Sequence, residues 1–141
     1  MTALETPAAN APAAEWGSLA VAIPDYGWLP GMLNLKDGTR YMGSARWAWD
    51  DPYRHHAQGI ADDDWPDPDD PATAGCLLAL LGPRCLVRVR ILPLEGPGRY
   101  EVVIPSGMMP DGRPHRVSGI NLGRACIAAA AAIGRWPGGA S

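Results

Sequence analysis

Arg113, His115, Arg116 and Arg124 gather around the segment Ser118-Gly119-Ile120-Asn121. Ser or Asn just before an apolar run is a helix N-cap, and the free amides of a helix N-terminus attract anions. Arginine adds a planar fork that matches carboxylate or phosphate. These residue types predict a site for a small anionic, nucleotide-like ligand, with Arg113, His115, Arg116, Ser118, Asn121 and Arg124 as its members. Aromatic planes can stack on a base, and Trp49 and Trp65, at either end of an acidic stretch, are the candidates for that role. The competing reading is an ordinary helix cap with incidental arginines, and rings that fill the core of a chain without Phe.

Other chemistry finds less support. His55-His56 sits in an Asp-rich stretch, yet adjacent histidines on extended chain point to opposite faces, and helical His-x-x-x-His spacing is absent. No metal and no cofactor is expected. Asp62, Asp63 and Asp64 have no apolar neighbours that would raise a pKa for acid–base work, and their loop lacks the pattern of a calcium site. Ser106 and Ser118 lack a Gly-x-Ser-x-Gly context. Cys76, Cys85 and Cys126 form no Cys-x-x-Cys pair, so buried, reduced thiols are expected. The sequence therefore carries no enzyme signature, and a non-enzymatic protein is expected.

The 141 residues have a net charge of −3, which hides a division. Residues 50–70 hold eight Asp against Arg54, a net of −7, whereas residues 84–141 hold eight Arg against Glu95, Glu101 and Asp111, a net of +5. An excess of Arg also follows from the codon bias of a GC-rich genome. A polyanion would be repelled by the −7 stretch, so nucleic acid is disfavoured as a partner. The alternative function is an interaction module whose acidic loop docks on another protein or inhibits it. A homo-oligomer fits either reading. No apolar run is long enough to span a membrane, and the start lacks the basic and hydrophobic regions of a secretory signal.

The elements that must position these residues follow from periodicity and punctuation. Residues 1–15 read as a flexible tail, residues 16–136 as one domain with an acidic loop at 50–70, and residues 137–141 as a flexible end. Leu19, Val21 and Ile23 alternate as in a short strand. Asp37-Gly38 predicts a hairpin turn between Met32–Leu35 and an arm that starts at Arg40 and runs toward Trp49. Asp70 as N-cap, Pro71 at the first helical position and Gly82-Pro83 as stop delimit a buried helix. Val87, Val89 and Ile91 alternate with Arg88 and Arg90, and Tyr100, Val102 and Ile104 with Glu101, which predicts a second hairpin. Residues 105–117, with three prolines, read as irregular. Ser118 or Asn121 then caps a helix that ends at Ile133 before Gly134. The expected fold is α+β: an antiparallel sheet from two hairpins with two helices on one face, in the order ββαββα.

Two blocks, Trp28-Leu29-Pro30-Gly31-Met32 and the run from Pro66 to Leu80 with its Asp-Pro-Ala-Thr-Ala-Gly-Cys-Leu-Leu-Ala-Leu, resemble a group of small proteins from phages and prophages of GC-rich bacteria. That group has no assigned chemistry, so it carries no site residue over. What the resemblance implies is a phage accessory protein acting in the bacterial cytoplasm, of the kind that counters host defence.

Overall fold

The computed structural model describes residues 5–43, 60–82, 88–93 and 99–139, without the Arg88 side chain. Trp47, Trp49, Tyr53, His55, His56, Cys85, Val87 and the expected turn at 94–98 lie outside the described residues. The architecture is α+β, with the element order helix, helix, strand, strand, strand, helix rather than ββαββα.

The first departure is α1 (Ala13–Ala22), which lies where a tail and a strand were expected. The alternation of Leu19, Val21 and Ile23 was the wrong period. Trp16, Ala20 and Ile23 stand at helical spacing, all buried, and the alanines around them favour helix. The expected tail is also held in part: the Trp16 indole donates to the Ala8 carbonyl at 3.0 Å. At the other end, Trp136 is fully buried and donates to the Ala20 carbonyl at 3.0 Å, and a 3-10 turn follows at Pro137–Gly139.

The Asp37-Gly38 turn is present, with Gly38 at φ 73°, but its arms form only an isolated bridge between Leu33 and Arg40. They join no sheet. Instead, Asn34 bridges to Pro66, and the Leu35 amide donates to the Trp65 carbonyl at 2.9 Å. The described half of the acidic loop is thereby stitched to this turn, with Asp64, Pro66 and Pro68 buried.

Helix α2 (Pro71–Leu81) has the expected limits: Asp70 accepts from the Thr73 amide, Pro71 opens the helix, and Gly82 closes it at φ 91°. Strands β1 (Arg88–Ile91) and β2 (Tyr100–Ile104) pair antiparallel with Val89 opposite Val102 and Arg90 opposite Glu101. A third strand, β3 (His115–Gly119), corrects the expected irregular stretch and pairs with β2, Val117 opposite Val102. Proline density at 105, 110 and 114 masked its alternation. Asn121, not Ser118, then caps α3 (Leu122–Ile133), and Gly134 ends it in the left-handed conformation.

Helix α3 packs on the inner face of β2 and β3, while α1 and α2 pack on α3. The small side chains of Ala125 and Ala128–Ala131 allow this close layering, and with Val102, Ile104 and Ile127 they form the centre of the core. The opposite face of the sheet carries Arg90, Glu101, Val103, Arg116 and Ser118.

Candidate functional site

The six residues expected at one anion site are distributed over three places. Asn121 and Arg124 occupy the N-terminus of α3, where a ligand was expected. The Asn121 Oδ1 caps the Arg124 amide at 2.9 Å, and its Nδ2 donates to Asp69 at 2.7 Å. Arg124 grips the same carboxylate with both edges of its fork, Nε to Oδ1 at 2.8 Å and Nη2 to Oδ2 at 3.0 Å. Its remaining nitrogen donates to the Ala9 carbonyl at 3.0 Å and also to Ala11. An internal anion therefore sits at this helix terminus. The Arg124 hydrogen bonds hold the Asp69 carboxyl below its ordinary pKa.

His115 and Arg113 belong to a turn. The His115 Nε2 lies 2.9 Å from the Asp111 Oδ2, and the Arg113 amide donates to Asp111 Oδ1 at 3.0 Å. His115 hydrogen bonding draws the Asp111 pKa downward. In register with Ile104, His115 faces the inner side of the sheet, away from Arg116.

Arg116 and Ser118 stand on the outer face, both exposed. Opposite Arg116 lies Val103, half-buried, and opposite Ser118 lies Glu101. On the far side of Glu101, Arg90 reaches its carboxylate at 3.3 Å while remaining half-exposed. Cross-strand neighbours stand about 5 Å apart, so these side chains form one continuous surface: an apolar centre with cations beside it. Arg99, exposed at the entry of β2, lies 6.0 Å from the Tyr100 ring centre. Arg90, Glu101 and Val103 were absent from the sequence-level site. The period-two pattern of His115–Gly119, set against that of Tyr100–Ile104, is the signal that would have found them.

Trp65 is half-buried and lines a cavity of about 500 Å³ with Glu15, Ser18 and Leu19. Ser118 borders a different cavity of about 410 Å³, beside Trp16 and Ala128. Asn121 borders a third, of about 240 Å³, beside Asp69 and Tyr100. Arg113 and Arg116 line none of these three. Trp28, Tyr26, Tyr41 and Trp136 pack together, with ring centres 5.8 to 6.2 Å apart. Burial pushes the Tyr26 hydroxyl pKa up.

The acidic stretch is more structural than its charge suggests. Asp70 accepts from both terminal nitrogens of Arg40, at 2.9 and 3.0 Å, which, with Thr73, draws its pKa to about 2. Burial opposes ionisation of Asp64, but the Ala61 amide, Asn34 and Lys36 outweigh it and lower the pKa. Burial raises the Cys126 thiol to about 12. Cys76 is only half-buried, and burial raises it too. Among the described residues no group of His, Cys, Asp or Glu is placed to hold a metal ion, and no helix is long and apolar enough to cross a membrane.

No protein-family model, no curated protein and no solved structure matches the chain. The functional reading rests on the arrangement of its own residues.

Proposed function

We propose that the protein is a non-enzymatic interaction module that lays the open face of its sheet on an acidic surface of a partner protein. The observation that carries this is Arg116, exposed and without a carboxylate partner among the described residues, beside the half-buried Val103. An apolar centre with arginine around it is the composition that protein interfaces favour. The phage resemblance supports a host protein as that partner, in the bacterial cytoplasm.

The expected nucleotide pocket has less to rest on. Asn121 and Arg124 are engaged by Asp69, and the outer face lacks a described aromatic ring for a base to stack on. The acidic loop is weakened as a docking element in the same way, since Asp64, Asp69 and Asp70 bind internal donors. The non-enzymatic reading is supported by the directions of the carboxyl pKa values. Asp64, Asp69, Asp70 and Asp111 are held low, whereas a general acid needs its pKa raised.

A photo-crosslinking amino acid in place of Val103, in the full chain expressed in a host bacterium, tests this. A specific adduct with an acidic host protein is expected, and Arg116→Glu should abolish it. With purified partner, Arg116→Glu should slow association about tenfold at low salt. Stabilisation by a nucleotide panel, with no adduct at Val103, would return the reading to a small ligand.

A further inference from the structure

A second, independent surface lies at the other end of α3. After Ile133 the chain leaves the helix through Gly134, at φ 94°. The next residues separate: Trp136 turns fully into the core, its amide donating to the Pro24 carbonyl at 2.9 Å, while Arg135 stays exposed. Trp136 therefore fixes the backbone on which Arg135 is carried. Arg135 has no carboxylate or hydrogen-bond partner among the described residues.

Beside it runs a groove of about 470 Å³ between the end of α3 and the 3-10 turn at Ser106–Met108. Its walls are Met108, Met109, Pro110, Ile133 and Pro137. Met109 and Ile133 are 8% and 6% exposed, so they form a floor, and Met108 is half-buried. The volume falls in the roughly 300–1,000 Å³ range of ligand clefts. Methionine side chains are flexible and adapt to ligands of varied shape.

We infer that this groove binds an amphipathic monoanion, an alkyl chain ending in one carboxylate, with Arg135 pairing the head and Met108, Met109 and Ile133 covering the tail. The charge complementarity comes from Arg135 alone. The C-terminal end of α3 presents the negative pole of its helix dipole, which opposes any anionic head and opposes a doubly charged phosphate more than a singly charged carboxylate. Carboxylate matches the guanidinium fork with a single charge. The site shares no residue with the outer sheet face and stands or falls separately from it.

The test uses the full chain labelled with carbon-13 at the methionine methyls, titrated with decanoate, decanol, decyl phosphate and acetate below micelle-forming concentrations. Decanoate should shift the Met108 and Met109 methyl resonances and leave the buried Met32 in place. Decanol and decyl phosphate should bind more weakly, and acetate should not shift either resonance. Arg135→Gln should weaken decanoate about tenfold, the scale of one charge-assisted hydrogen-bonded contact, with the thermal midpoint unchanged because Arg135 is exposed. Arg116→Glu should leave decanoate binding intact. Decanol binding as tightly as decanoate, full affinity in Arg135→Gln, or shifts that bypass Met108 and Met109 would each overturn the assignment. Tighter binding of decyl phosphate would overturn the choice of carboxylate.

Discussion

Asp69 and Arg124, 55 residues apart in sequence, meet in a two-pronged ion pair at 2.8 and 3.0 Å. It joins the acidic stretch to the basic half of the chain. Asp70 makes the matching pair with Arg40 at 2.9 Å. The two neighbouring carboxylates thus tie the N-terminal turn, α2 and α3 to one short segment, and the charge division of the sequence is partly neutralised inside the fold.

Arg124→Met is expected to cost about 2–4 kcal/mol in urea unfolding. It leaves the Ala9 and Ala11 carbonyls and the Asp69 carboxylate without their donor, and orphaned buried partners are costly. Asp69 is 41% exposed, so water softens the loss. The double variant with Asp69→Asn should lose less than the sum of the two singles. Additive losses would show that the pair is not coupled.

Acid should weaken the fold in a defined window. The Asp70 pKa, drawn down to about 2 by Arg40, lies below its ordinary value. Its stabilisation is therefore complete above the ordinary value and is lost as pH falls from about 5 to about 2. Asp69 and Asp64 shift in the same direction. With Arg40 40% exposed, the Asp70 share is about 1–2 kcal/mol after screening. Urea midpoints should fall through this range, and Asp70→Asn should flatten the fall. An unchanged slope in that variant would remove Asp70 from the account.

Local punctuation made part of this legible in sequence. The limits of α2 follow from Asp70, Pro71 and Gly82, each acting within one turn of chain. The faces of β1 and β2 follow from the alternation of Val89, Ile91, Val102 and Ile104. What escaped was long-range or ambiguous in period. Leu19, Val21 and Ile23 fit a strand until Trp16, Ala20 and Ile23 are seen to share a buried helical face. The strand at His115–Gly119 lies behind prolines, and its identity depends on β2 as a partner. The six residues grouped in sequence stand in three places for the same reason, because nothing near Arg124 in sequence reveals that Asp69 reaches it.

Two glycine-to-alanine changes should move stability in opposite directions. At Gly123 a Cβ would run into the Pro68 carbonyl oxygen, which is backbone that cannot step aside. Gly123→Ala should cost about 1–3 kcal/mol or more. At Gly75, exposed within α2, a Cβ meets nothing within 4 Å, and Ala should add about 0.5–1 kcal/mol through helix propensity. Thermal denaturation of the two variants checks both signs. A neutral Gly123→Ala would mean that α3 and the 66–70 segment are not in close contact.

The neighbouring carboxylates Asp62 and Asp64 should respond differently to the same change. Asp64 is fully buried, and both its oxygens accept: Oδ1 from Asn34 and Oδ2 from the Ala61 amide, each at 2.8 Å. Lys36 adds a contact at 3.4 Å. In Asp64→Asn one acceptor becomes an NH₂ that faces a donor, so the variant should lose about 1–3 kcal/mol. Asp62 is exposed, and Asp62→Asn should fall within about 0.5 kcal/mol of wild type. The pair also separates stability from docking. If the acidic loop contacts a partner, Asp62→Asn should weaken the complex while leaving the urea midpoint in place. Docking by the outer sheet face instead leaves that variant with full binding, and Arg116→Glu without it.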